Sequence, residues 1–318
     1  MPRRFTDSTA AMAVILVALV TGVAGCASLK PTASASATAS ASATAAADYW
    51  PTVNGINTKL AADIQHIESA RTPTAVGSAI TAAEADVYLD YYRLIGMNPP
   101  GAAQAAQDAL VMALRDFRGD LTSAGSAADA NQVCAGSSAL EMLSSSPGTR
   151  ELRSAEAELA KVDPTAGART DSFLPPPTAY TSRRLADGAL VKRAAHSGLG
   201  QLTVHNNNDQ DAVVSLVLGH SDAATMALYI RARSSATTTG IPDGAYQVYY
   251  TTGADWDGSE HLFTRFCDFE KLNKVIPFTT TAQGNGVTEY TTEQITLHTY
   301  FAGNVTASRV PADKFPAS

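Results

Sequence analysis

Residues 49–162 and 188–318 carry two different hydrophobic periods, and a triple proline, Pro175-Pro176-Pro177, stands between them. A period near 3.6 buries one stripe of a helix, whereas alternation of two buries one face of a strand. One layer cannot satisfy both. The chain is therefore expected to be α+β with two domains, an N-terminal antiparallel helical bundle followed by an antiparallel β-sandwich.

In the first region, Val53, Ile56, Leu60, Ile64 and Ile67 recur at spacings of three and four. A second segment carries Val76, Ile80, Val87, Tyr91 and Leu94, and Gly96 before Pro99-Pro100 ends it. Leu110, Leu114, Phe117 and Leu121 mark a third helix, and the stretch from Ala127 to Ser145, with Val133, Leu140 and Leu143, a fourth. Pro147-Gly148 breaks the pattern before a short fifth helix with Leu152, Leu159 and Val162. Short connections between such helices favour an antiparallel bundle over 49–162. Residues 163–187 read as a Pro-rich spacer, with Phe173 and Leu174 placed to dock on a neighbouring domain.

From Gly188 onward, short β-prone runs alternate with turn residues. The runs are Ala189–Arg193, Gln201–His205, Ala212–Leu218, Ala227–Arg233, Tyr246–Thr251, Leu262–Phe269 and Thr288–Thr299. With no helices between them, they predict antiparallel pairing over 188–318.

The N-terminus bears on the compartment. Arg3 and Arg4 precede an apolar run, Ala10–Val20, of signal-peptide rather than membrane-spanning length. Val23-Ala24-Gly25-Cys26 follows and resembles the lipobox of bacterial lipoproteins. That resemblance makes residues 1–25 a signal peptide and Cys26 the lipid-bearing mature N-terminus. The competing reading is an ordinary signal peptide cleaved near Ala27. Each buried acyl CH2 contributes about 0.8 kcal/mol, so several chains would hold the protein at the extracytoplasmic face of the cell membrane. Residues 26–48 then form a tether, its Ala/Ser/Thr tract offering too little apolar surface to order itself.

The stretches LTVHNNNDQDAVVSLV, IPDGAYQVYYTTGADWD and FTRFCDF resemble a C-terminal β-rich domain of exported actinobacterial lipoproteins. The turn Ile241-Pro242-Asp243-Gly244-Ala245-Tyr246 is similar to hairpins of prealbumin-like and carboxypeptidase-regulatory-like sandwiches, where such a segment enters a core strand. These likenesses imply a fold and a compartment, and bring no activity with them.

Three constellations invite a chemical reading. Gly219-His220-Ser221-Asp222-Ala223 is similar to a nucleophile elbow, with Asp255 or Asp257 and then His261 or His298 downstream. Ala223 stands where the second glycine belongs, and the residues after it alternate as a strand, so a hairpin turn is the stronger expectation. The loop Asp255-Trp256-Asp257-Gly258-Ser259-Glu260, with Asp209 and Asp211, offers oxygen ligands for calcium but lacks the twelve-residue frame of an EF-hand. Trp256 with Tyr249, Tyr250 and Phe263 would suit either a core or a platform for sugar. Neither Cys134 nor Cys267 has the neighbours zinc requires. They are a candidate disulfide in an oxidising compartment.

A formal charge of -7 disfavours nucleic acid as a partner, because phosphate binding needs a basic face. Its one basic cluster, Arg183, Arg184, Lys192 and Arg193, is interrupted by Asp187 and reads as a solvated linker and strand edge. The expectation is a non-catalytic binding or structural module of the cell envelope, with no cofactor or metal. Its expected partners are the membrane, through the lipid, and a cell-wall or envelope protein. A secreted serine hydrolase using Ser221 is the alternative.

Overall fold

The computed structural model describes residues 34–164, 173–177, 179–298 and 306–317. The signal segment 1–25, Cys26 and residues 27–33 of the expected tether lie outside the described residues, as do 165–172 and 178 of the expected spacer. The chain divides into two units, residues 1–41 and residues 42–318. Of the first unit, the backbone from Ser34 is helical.

The second unit is α+β. Its helices are α1 (Ser34–Glu68, of which residues 42 onward belong here), α2 (Pro73–Ile95), α3 (Gln104–Asp129), α4 (Gly136–Ser144) and α5 (Pro147–Val162). The helix α1 starts inside the stretch read as a tether, because the alanines that lower its hydrophobic drive are also the best helix formers. Thr72 caps α2, its hydroxyl accepting from the Ala75 amide at 3.2 Å, and Pro73 occupies the first turn, where its missing N–H costs nothing. Every helix contributes to one apolar core: the α1 stripe expected from the sequence meets Val76, Ile80 and Val87 of α2, Leu110, Leu114, Phe117 and Leu121 of α3, and Leu152 and Leu159 of α5. Leu174, just before the prolines, is buried in that same core.

The expected fourth helix is corrected. The helix α3 runs on to Asp129, and residues 130–135 leave it as a loop before α4 begins. Asn131 takes the left-handed conformation at φ 55°, with Asn131 N–H bonded to Ala128 O and Gln132 N–H to Ala127 O. That is a Schellman termination with asparagine in place of glycine. Periodicity alone passed over it because Val133 and Leu140 keep an apolar spacing across the break.

Eleven strands follow among the described residues: β1 (Leu190–Lys192), β2 (Gly200–Asn206), β3 (Asp211–Leu218), β4 (Met226–Ile230), β5 (Ser234–Ile241), β6 (Gly244–Asp257), β7 (Leu262–Phe278), β8 (Thr280–Ala282), β9 (Thr288–Tyr290), β10 (Thr292–Leu297) and β11 (Ala307–Arg309). They form a six-stranded sheet in the order β1-β4-β3-β6-β7-β11, a three-stranded sheet β10-β2-β5 and the pair β8-β9. Pairing is antiparallel except between β10 and β2, which run parallel with Thr292 opposite Gln201. The strand β5 pairs with one edge of β2 and β10 with the other. The strand β5 was not anticipated, because SSATTTGI has little apolar alternation.

One face of the six-stranded sheet shares an apolar core with the three-stranded sheet, Val214, Leu216, Leu228 and Val248 meeting Leu202, Val204, Ile241 and Ile295. Gly244 opens β6 at φ 155°, where a Cβ would come within 2.4 Å of Leu218, and Tyr246 two residues on is fully buried. The Tyr246 hydroxyl donates back to Pro242 O at 3.0 Å.

The opposite face meets the helical part. Cys134 N–H bonds to Thr264 O at 2.8 Å, and Cys267 N–H to Asn131 O at 3.1 Å, so the 130–135 loop lies along β7 like an added strand. A disulfide joins Cys134 to Cys267, their Cα atoms 6.2 Å apart. Close by, a Cβ on Gly136 would meet Ile67 O at 2.1 Å, so this crossing of the loop over the end of α1 requires glycine.

A candidate binding cleft and the arginine clamps beside it

The residues read as a nucleophile elbow form the connection between the antiparallel strands β3 and β4. Gly219 turns the chain at φ 59°, and the Ser221 hydroxyl is occupied locally, donating to Ala223 O at 3.1 Å and accepting from Ala223 N–H at 3.2 Å. Leu218 is opposite Tyr246 on β6, whereas Asp255 and Asp257 lie beyond Gly253, which is opposite Asp211 at the other end of β3. The strand register thus sets Ser221 and those carboxylates at opposite ends of the sheet.

Asp255, Trp256 and Asp257 are the last residues of β6 and not an open loop. Asp255 is 3% exposed and adopts φ 58°, just past a register shift against β7. Its carboxylate receives Arg183 Nε at 2.9 Å and the Arg183 backbone N–H at 2.8 Å on one oxygen. On the other it receives an Arg183 terminal nitrogen at 2.7 Å and the Thr264 hydroxyl at 2.7 Å. Burial works against the charge, but these hydrogen bonds outweigh it and hold Asp255 well below the usual carboxylate range. Asp257 also faces Arg183, at 2.7 Å, and accepts from Ser259; despite burial its pKa is pulled down to about 2.

Arg184 repeats the device one residue on. It reaches Asp211 at 2.7 Å, and Asp211 also accepts from the Tyr229 hydroxyl and the Ala232 backbone N–H. Burial followed by the adjacent carboxylate pushes the Tyr229 phenol up, while Arg184 and Tyr229 hold Asp211 down against its own burial. Arg183 and Arg184 of the basic cluster therefore pin their segment across the sheet. Asp209 is held by Arg233 at 2.7 Å. Among the described residues, no group of three or more His, Cys, Asp or Glu side chains is arranged to hold a metal ion. Trp256 is 2% exposed and packs edge-on against Phe263 and Tyr229, which makes it core.

A cleft of about 740 Å³ opens on the other side of the disulfide, where the end of α3 and the 130–132 loop approach β6 and β7. Asp129, Asp209, Asp268 and Glu270 bring carboxylates to it; Asn131, Gln132, Asn208 and Gln210 bring amides. Arg309 and His298 are the basic residues of the lining, and Arg309 sits 3.7 Å from Asp268. Burial raises the pKa of Glu270, which accepts from the Tyr250 hydroxyl. Phe266, 47% exposed at φ 53°, supplies an apolar surface. Such walls accept hydrogen bonds from hydroxyl or amino groups and repel anions. Sequence reasoning missed this site: its residues come from six separate segments, and no local motif connects them. Comparison with known protein families, with curated proteins and with solved structures finds no match.

Proposed function

We propose that this chain is a lipid-anchored protein of the bacterial cell envelope. In this reading Cys26 carries the lipid, and residues 42–318 act outside the membrane as a non-catalytic binding module. The lipobox Val23-Ala24-Gly25-Cys26 supports the anchor, and the Cys134–Cys267 disulfide is in keeping with an oxidising compartment. Among the described residues no helix is long and apolar enough to cross a membrane, so attachment in this reading falls to the lipid. The likeness to exported actinobacterial lipoproteins belongs to the same proposal, as does the finer reading of the two cores as an antiparallel bundle followed by a β-sandwich.

The observation that carries the binding role is the cleft. Its carboxylates, amides and half-exposed Phe266 suit a hydroxyl-rich ligand, which a cell-wall saccharide would provide. Titration of the mature chain with soluble cell-wall glycan fragments, followed by calorimetry, tests this. Binding should weaken at least roughly tenfold in Phe266→Ala and in Asp268→Asn. Equal affinity in both variants would move the site elsewhere, and recovery of an envelope protein without any glycan binding would replace the ligand class.

A further inference from the structure

Among the described residues, five of the twelve large hydrophobic side chains left exposed belong to the helices, and four of those lie in one stretch of α2: Tyr88 (41%), Leu89 (63%), Tyr92 (54%) and Ile95 (52%). Tyr88, Tyr92 and Ile95 follow at spacings of four and three, which places them on one face. The rings of Tyr88 and Tyr92 meet edge-on at 4.8 Å, and the Arg118 guanidinium lies 4.7 Å over Tyr88.

The position of this face within the unit is what gives it meaning. The helices α1 and α2 run antiparallel, Lys59 pairing with Asp86, so Trp50 is level with Ile95 about 13 Å further along. The turn joining the two helices, at 69–72, abuts the β part: Arg71 pairs at 2.6 Å with Glu260 in the β6–β7 connection. Tyr92, Ile95 and the half-buried Met97 are therefore at the end of the helices away from the sheets. The chain enters the unit at that same end, with Cys26 only 23 residues before Tyr49.

We infer that the Tyr88–Ile95 face of α2 is a membrane-contacting surface that seats the protein at the lipid headgroup level, with the helix tips down and the sheets outward. This rests on the anchor at Cys26 proposed above. Tyrosine suits the role because its ring prefers the interface while its hydroxyl stays wet. Tyrosine also suits protein interfaces, so the assignment to the membrane is carried by the place of this face, at the end of the helices where the chain arrives from Cys26. The contact is not strong enough to hold the protein alone; with the lipid fixing position, it sets orientation.

The test uses mature chain 26–318, which contains the whole 42–318 unit, coupled through the Cys26 thiol to a maleimide lipid. The vesicles are phosphatidylglycerol and phosphatidylethanolamine, and the readout is hydroxyl-radical footprinting by mass spectrometry. Because the attachment is chemical, the outcome is independent of whether Cys26 is lipidated in the cell, which fatty-acid labelling reads separately. Oxidation of Tyr88, Tyr92 and Ile95 should fall roughly threefold or more against the thiol-blocked chain in solution, with Tyr180, Phe266 and Tyr290 unchanged. In Tyr92→Ser/Ile95→Ser, which should melt like the parent, the protection of Tyr88 should be lost. Uniform protection, or none, would overturn the inference. So would concentration-dependent protection of the same residues in the thiol-blocked chain, which would assign the face to a second copy.

Discussion

Arg183→Met isolates the clamp that ties the segment before β1 to the sheet. Breaking one side of a buried ion pair costs about 3–5 kcal/mol because a charge is left without its partner. Here the Asp255 side chain is 1% exposed but that of Arg183 is 45% exposed, so water takes up part of the loss. Asp255 also keeps its hydrogen bonds from Thr181, Thr264 and the backbone N–H at position 183. The expected loss is therefore about 2–3 kcal/mol, or a fall in melting temperature of roughly 4–12 °C for a unit of this size. Calorimetric melts across pH give the sharper check. Arg183 depresses the Asp255 pKa, so the stability it confers is complete above the unfolded-state value of about 4 and is lost progressively as the pH falls from there towards the depressed folded-state value. Parent and variant should differ by a constant amount between about pH 5 and 7, and the gap should narrow steadily below about 4. Adding Asp255→Asn to the variant should recover much of the loss, since asparagine tolerates φ 58° and needs no counter-charge. A loss below about 0.5 kcal/mol at pH 7, or a gap that does not narrow as the pH falls below about 4, would refute the reasoning.

Reduction of Cys134–Cys267, which closes a separation of 133 residues, should cost about 4–5 kcal/mol in the chain-entropy account, read as a lower urea midpoint with reductant present. Thiol titration of the denatured, unreduced mature chain should find no free thiol at either position. Cys26→Ser should abolish incorporation of a fatty-acid analogue and release the protein from membranes; continued labelling would remove Cys26 as the acceptor. A fluorophosphonate probe should leave Ser221 unmodified, because its hydroxyl is engaged with Ala223, and labelling that vanishes in Ser221→Ala would instead favour a hydrolase.

The α1 stripe from Val53 to Ile67, the break at Gly96 and the turn at Pro242-Asp243-Gly244 could be read directly from the chain, because each is set by neighbours within a few residues: a period, a cap or a turn; that this turn passes from one sheet to the other, where a hairpin was expected, could not. Most strand positions were legible for the same reason, although β5 was hidden by its serines and threonines. The tertiary structure decided whatever depends on partners far apart in sequence. It ended α3 at Asn131 so that the next residues could lie along β7, and it placed β10 parallel to β2. It turned Arg183 and Arg184 from an expected solvated edge into clamps on carboxylates 27 to 74 residues away, and decided between core and ligand platform for Trp256 in favour of core. The cleft belongs wholly to this second kind. Its walls come from segments between Asp129 and Arg309, and no local pattern in a chain records which distant backbones will converge.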